Sequence, residues 1–352
     1  MHQAGPRWER PLNRRHATAR YFVNGQVQAN TILCQDHHLL RLELHTTLGP
    51  SRPGQFVQLG CRVPDRALNS GEVVGAVHEG DSGYRGRLKQ LDLCAPVSLL
   101  RRPFSIAGRG CCDGGGPTGS DAGDGRSTAS GRTWIDIIHQ VVGTGTRWLA
   151  TLAPGDPVDL IGPLGNGFWL PKTRRIGLLA GGGVGLPPMF YLAEKLSQAG
   201  WQAIGLVGAR TRQLLPVSFD GDPDRHGAPR PSVREFARFG FPSVVTTDDG
   251  SCGLQGRITD GLSCVLENMQ PGRRQQVVIF ACGPAPMLRA AAELAHRYDV
   301  AGQLCVEQAM ACGMGTCQSC VVPVVDAADG EGWSYRLACT DGPVFDARSI
   351  VW

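Results

Sequence analysis

The sequence predicts a β plus α/β protein in three parts: an antiparallel β-barrel, a doubly wound parallel-sheet domain and a small cysteine-rich C-terminal unit. Three observations predict it. Short apolar runs separated by Gly and Pro turns fill residues 21–107, a pattern suited to an antiparallel barrel. From residue 174 the apolar runs become continuous and alternate with helical stretches, as buried parallel strands do. Five of the thirteen cysteines fall between Cys305 and Cys339.

Residues 1–20 carry Arg7, Arg10, Arg14, Arg15 and Arg20 with Glu9 as the one acid. The stretch superficially resembles a transit peptide, and it is read as a disordered tail. The barrel is assigned to 21–170, with strands at Tyr21–Val23, Leu39–Leu44, Gln55–Leu59, Trp134–His139 and a close near Asp159–Ile161. Residues 108–132 are almost devoid of large apolar side chains, so they cannot offset their ordering entropy and are expected to be a disordered insertion. The α/β domain is assigned to 171–300. Its strands are expected at Arg175–Ala180, Ala203–Val207, Ser243–Thr247 and Gln276–Cys282, with helices around 190–199 and 285–297. Residues 301–352 form the third unit.

Bulk properties exclude several classes of function. A net charge of +4, evenly spread, argues against a nucleic-acid partner. No apolar run reaches the ~18 residues of a membrane span, and no secretory signal is visible. Cysteines clustered at ligand spacing in a chain without an export signal read as metal binding in a reducing compartment, so a cytoplasmic location is expected.

The most specific motif is Cys312-Gly-Met-Gly-Thr-Cys317-Gln-Ser-Cys320, followed by Cys339. This is the C-x4-C-x2-C spacing of plant-type [2Fe–2S] sites with a distal fourth ligand. Gly313 and Gly315 allow positive φ and close approach of backbone N–H groups to cluster sulfurs. Four cysteines also suit zinc, but zinc ribbons pair two short C-x2-C knuckles, which this chain lacks. Cys305 lies outside the spacing and is read as a packing residue.

A second signal is Arg102-Pro103-Phe104-Ser105, followed by Gly143-Thr144-Gly145-Thr146. An Arg can pair with a pyrophosphate, a Ser hydroxyl can reach a flavin ring nitrogen, and Gly-Thr-Gly-Thr supplies backbone donors with little bulk. On a barrel that precedes an α/β domain, the two together favour flavin. The third signal is the loop Gly181-Gly182-Gly183-Val184-Gly185, directly after an apolar strand. With Cys282-Gly283-Pro284 at the tip of a later strand, it is expected to flank a dinucleotide crevice. Cys282 itself fits either a buried small residue or a thiol beside the nicotinamide.

Together these motifs resemble the ferredoxin-NADP reductase superfamily. Pro53–Val57, Leu100–Ile106, Gly162–Phe168, Thr247–Ser251 and the cysteine unit through Phe345 are similar to one branch of it, the electron-transfer subunit of NAD-dependent dihydroorotate dehydrogenase. The resemblance runs from about residue 24 to the C-terminus and excludes the tail, 108–132 and a stretch near 70–90. It implies FAD on Arg102–Ser105, Ile138, His139, Gln140, Gly145 and Thr146, and a [2Fe–2S] cluster on Cys312, Cys317, Cys320 and Cys339. It implies NAD as substrate, and an FMN-containing dihydroorotate dehydrogenase catalytic subunit as partner in a heterotetramer of two plus two. Electrons would pass from that FMN through the cluster and FAD to NAD⁺, in pyrimidine biosynthesis. No residue of this chain is then expected to act as a catalytic acid or base, and dihydroorotate oxidation would require the partner. Gln140 departs from the family, which commonly has Arg there. Arg210 and Arg212 follow the second α/β strand, where a 2′-phosphate site would want an Arg.

Two rival functions remain at this level. Similar subunits serve sulfide dehydrogenases, NADH-dependent ferredoxin:NADP⁺ oxidoreductases and hydrogenases. A non-enzymatic iron–sulfur scaffold or sensor is the second, against which the intact Arg-Pro-Phe-Ser and Gly-Thr-Gly-Thr stand.

Overall fold

The computed structural model describes residues 20–61, 100–111 and 132–352. Nearly all of the tail and of the 108–132 insertion, and the stretch near 70–90, lie outside the described residues.

The first sheet is built from β1 (Tyr21–Cys34), β2 (His37–Leu44), β3 (Phe56–Leu59), β4 (Arg102–Ser105), β5 (Gly108–Cys111), β6 (Thr133–Gln140) and β7 (Pro157–Leu164). Its order is β4-β3-β7-β1-β2-β6-β5, antiparallel throughout. Alternate residues turn inward. Val23 and Val27 meet Leu40, Leu42, Ile135, Ile137, Val158 and Leu160 in one buried cluster. Helix α1 (Thr144–Ala150) closes one end of this core with Leu149.

The predicted barrel is a curled, open half-barrel. The edge strands β4 and β5 do not pair with each other. The turn between them spans the opening instead: Ile106 N–H donates to Gln55 O at 3.2 Å and Ala107 N–H to Asp136 O at 2.8 Å. The four-residue edge strands leave too little ladder for closure.

The second sheet contains β8 (Ile176–Gly182), β9 (Gln202–Ala209), β10 (Ser243–Thr247), β11 (Leu254–Gln255), β12 (Val277–Cys282) and β13 (Ala301–Cys305), all parallel. A hairpin of β14 (Val321–Val325) and β15 (Trp333–Leu337) follows, and then β16 (Val344–Asp346) pairs antiparallel with β13. The order β11-β10-β9-β8-β12-β13-β16 reverses winding between β8 and β12. That reversal is a topological switch point, and ligands bind beyond the C-terminal strand ends there.

Both faces of this sheet are covered. Leu178, Ala180 and Ile279 pack beneath α3 (Ile258–Glu267) and α4 (Ala285–Arg297). Leu179, Val278 and Phe280 face α2 (Leu186–Gln198) on the other side. No helix among the described residues is long and apolar enough to cross a membrane.

Candidate functional site

A cavity of about 470 Å³ opens where the half-barrel meets the C-terminal ends of β12 and β13. Its size falls within the range of cofactor pockets. The structure gathers here most of the residues singled out above: Arg102, Pro103, Phe104 and Ser105 on β4, Ile138, His139 and Gln140 at the end of β6, Gly143–Thr146, and Cys282. Cys305, Glu307 and Pro343, which sequence reasoning did not place in a site, also line it.

The chemistry of the walls suits a flat, polar-edged cofactor. The first-turn N–H groups of α1 have no intrahelical acceptors, and a Cβ built on Gly143 meets nothing within 4 Å. The Thr146 hydroxyl is already engaged, accepting from Val142 N at 2.9 Å and Gly143 N at 3.0 Å, so it holds the turn rather than offering a free donor. His139 is 1% exposed, yet neither ring nitrogen has a partner. Burial, then the nearby His38 and His37, lower its pKa to about 4 and keep the ring neutral. A ligand edge in the cavity would give these nitrogens the partners they lack.

Gly181, Gly182, Gly183, Gly185, Gly283 and Pro284 stand at the switch point, outside the cavity wall, where the loop contributes Val184. Most of these glycines serve internal packing. A Cβ on Gly185 would lie 2.0 Å from Cys282 O, and one on Gly181 2.7 Å from a Leu186 methyl. They let α2 start directly against β12. Gly182 and Gly283 are filled by the Met287 sulfur. Gly183, at φ +54° with open space before it, is the position free for close ligand approach. Arg210 and Arg212 are exposed beyond β9, and Arg212 N–H donates to Ser251 Oγ at 2.8 Å. The Thr247–Ser251 stretch thus acts as a turn that fixes this edge, with Ser251 Oγ donating to Asp249 Oδ1 at 2.6 Å.

The four cysteines of the spacing motif converge as two neighbouring pairs. Cys317 N–H donates to the Cys312 sulfur at 3.3 Å, and the Met314 N–H reaches the same sulfur at 3.4 Å. Cys320 and Cys339, 1% and 2% exposed, have their thiols within hydrogen-bonding reach of each other. Gly313 at φ +67° and Gly315 at φ +92° bend the loop as its spacing predicts. Among the described residues, no group of three or more histidine, cysteine, aspartate or glutamate side chains is drawn together around a point that one metal ion could fill. Two pairs suit the two irons of a [2Fe–2S] cluster.

The thiols differ in acidity. The Ser319 hydroxyl, followed by backbone N–H groups, pulls Cys317 down to about 6. Burial, and then the Cys320 thiol, push Cys339 up to about 12. Cys317 is therefore the ready thiolate, whereas Cys339 needs the positive charge of bound iron to lose its proton.

Two residues whose role sequence reasoning missed hold the loop in place. Gln58, 1% exposed on β3, lies against Gly313, and a half-turn of its amide lets the nitrogen donate to Cys312 O and the oxygen accept from Gly313 N, each at 3.2 Å. Its strand partner is Pro103 of the Arg-Pro-Phe-Ser motif. Asn166 donates to Asp341 O at 2.8 Å and Val344 O at 2.9 Å and accepts from Val344 N at 2.8 Å. It clamps the segment behind Cys339 to the half-barrel. A buried Gln inside an apolar run carries no sequence signal of its partner, because the contact is 254 residues away at Cys312. The Gly162–Phe168 motif did mark Asn166, though without its role.

Residues 307–351 match the family model for the iron–sulfur cluster binding domain of dihydroorotate dehydrogenase B. The chain is 39% identical over 218 residues to the electron transfer subunit of dihydroorotate dehydrogenase B (NAD⁺) from Geobacillus kaustophilus, covering 61% of this chain and 73% of that one. It is 30% identical over 294 residues to the corresponding subunit from Caldanaerobacter subterraneus, covering 82% and 97%. Among solved structures, the fold is similar to that of an NADH-dependent reduced ferredoxin-NADP oxidoreductase, with a TM-score of 0.63, 22% identity and coverage of 93% and 90%. A ferredoxin reductase of carbazole 1,9a-dioxygenase shares it at a TM-score of 0.52 and 18% identity, covering 81% and 68%.

Proposed function

The chain belongs to the electron transfer subunits of NAD⁺-linked dihydroorotate dehydrogenase B, and on that footing we propose that it carries electrons from a catalytic partner to NAD⁺ through a [2Fe–2S] cluster and FAD. The observation that carries this reading is the contact of Gln58 with the cluster loop. One short strand pair holds the Cys312 backbone on β3 and the flavin-cavity residues Arg102–Ser105 on β4. This strand pair supports a reading in which the two redox sites lie side by side.

When bound, FAD exchanges electron pairs with a nicotinamide and single electrons with an iron–sulfur cluster, which is the conversion this chain requires. The protein's part is to bind, orient and shield. Cys312, Cys317, Cys320 and Cys339 would ligate the cluster. Arg102–Ser105, Ile138–Gln140, Gly145 and Thr146 would hold FAD, with phosphate contacts at Arg102 and the first turn of α1. Gly181–Gly185 with Cys282, Gly283 and Pro284 would seat NAD at the switch point, Gly183 giving the closest approach. No side chain here is assigned as a general acid or base.

The catalytic partner would be an FMN-containing dihydroorotate dehydrogenase subunit, two copies with two of this chain, in the cytoplasm. Oxidation of dihydroorotate would need that subunit. Val321, Val325, Tyr335 and Trp352 leave large apolar surface exposed around the cluster hairpin, as a partner-binding face would. We place the functional units at 21–170 for FAD, 171–300 for NAD and 301–352 for the cluster, with 1–20 as a tail.

The test is to purify the chain with its neighbouring dehydrogenase subunit and measure iron, sulfide and flavin. About two irons and two sulfides per chain, as a [2Fe–2S] cluster requires, together with FAD that NADH bleaches, are expected. Zinc in place of iron, or absence of FAD, would overturn the proposal.

A further inference from the structure

Cys305 was read from sequence as a packing residue, but it is half of a pair. Cys282 ends β12 and Cys305 ends β13, and the two are direct partners in the parallel ladder. Neighbouring strands lie about 4.8 Å apart, within the Cα separation of roughly 4.4–6.8 Å that a disulfide spans. The residues are 2% and 3% exposed, and both line the cavity assigned to the flavin. Neither belongs to the cluster set, and both are free thiols.

The pair is chemically asymmetric. The Cys305 thiol bonds to Gly54 O at 3.8 Å. The hydrogen bond to Cys305, and then burial, push the Cys282 thiol well above its ordinary pKa, and the Glu307 carboxyl faces it from the cavity wall.

We propose that Cys282 and Cys305 form a second two-electron redox centre of this chain, a dithiol that closes reversibly to a disulfide in the cavity wall, with a small hydroperoxide as oxidant. The Cys305 sulfur attacks one peroxide oxygen, its S–H bond breaking as the O–O bond breaks. The departing oxygen leaves as hydroxide and becomes water with the Cys305 proton. The Cys282 sulfur then attacks the Cys305 sulfenic acid. The S–O bond breaks, the S–S bond forms, and the second oxygen leaves as water with the Cys282 proton. Two thiols and one hydrogen peroxide become one disulfide and two waters. A dithiol reductant reverses the change by thiol–disulfide exchange.

The proposal shares its cavity with the flavin reading, but its principal readout is independent of flavin. The complex as purified is treated anaerobically with one equivalent of hydrogen peroxide, blocked with N-ethylmaleimide, denatured, digested and mapped by mass spectrometry, with iron and flavin measured in the same sample. A Cys282–Cys305 link in most chains, removed by dithiothreitol and absent from Cys305→Ser and Cys282→Ala, is expected. A wild-type shift of the bound-flavin absorbance that tracks the link, missing in Cys305→Ser, is the second expected readout. A link formed in protein lacking flavin would sustain the dithiol and sink the flavin assignment. Sulfenic or sulfinic acid without a link, links confined to the four cluster cysteines, or no modification would overturn the dithiol.

Discussion

At the scale of single residues, the cluster ligands and His139 give the sharpest expectations. Cys317→Ser removes the one thiol drawn down to about 6, so iron per chain should fall by more than half, measured by metal analysis of the purified complex. Cys305→Ser, outside the motif, should leave iron unchanged. His139 titrates near 4 in the folded chain against an ordinary value of 6.5. The unfolded state thus binds the extra proton between these values, and stability is full above pH 6.5 and lost as pH falls toward 4. The loss is on the order of 3 kcal/mol. Thermal midpoints from pH 7 to 4.5 should fall steeply for the wild type and distinctly less for His139→Phe. The stacked His38, 5.4 Å away, leaves some slope in the variant. What was legible at this scale was covalent spacing. Cysteines three to five positions apart announce themselves along the chain. Gln58 and Cys305 act through neighbours contributed by distant segments, a loop and a strand, which only the folded chain reveals.

At the scale of elements, glycines at the switch point set how closely α2 approaches β12. Gly185→Ala would place a methyl 2.0 Å from the Cys282 carbonyl oxygen, backbone against side chain, with no flexible atom to yield. Overpacking of this kind costs about 1–3 kcal/mol, and the helix start should shift. The expected result is a lowered thermal midpoint and weaker NADH binding, read by thermal unfolding and by titration. Asn166→Ala removes three hydrogen bonds that tie Asp341 and Val344 to the half-barrel. Each hydrogen bond lost costs about 0.5–1.5 kcal/mol, so cluster loss under chelator should accelerate severalfold while FAD content holds. Most strands of both sheets were visible in the sequence because their alternation and continuous runs are local properties. β5 was not, since Gly108–Cys111 opens the stretch expected to be disordered yet pairs with β6. β13 and β16, expected in the separate cysteine-rich unit, join the parallel sheet. The barrel closure was not visible either. Whether β4 pairs with β5 depends on the lengths of two edge strands and on the Ile106–Ala107 crossing, none of which the periodicity encodes.

At the scale of the whole molecule, one cavity is walled by all three units: β4 and β6 from the half-barrel, Cys282 from the parallel sheet, and Glu307 and Pro343 from the cysteine-rich segment. A ligand there binds only the assembled form, so saturating FAD should raise the midpoint of the entire chain in a single transition rather than stabilise one part. Calorimetry of FAD-replete and FAD-stripped protein checks this; two transitions, one insensitive to FAD, would contradict it. The exposed Arg210 and Arg212 beyond β9 bear on nucleotide choice, and Arg210→Ala should leave NADH bleaching unchanged if NAD is the natural acceptor. The antiparallel β16 has a different importance. It covers the outer rim of β13 and follows Cys339 by only five residues. Should the iron depart and the Cys339 turn loosen, β16 can peel away and bare a row of unpaired amides, the template on which other chains add as strands. Colloidal behaviour would then report on metallation: stripped protein should become turbid on gentle warming, and restoring the cluster should keep the solution clear.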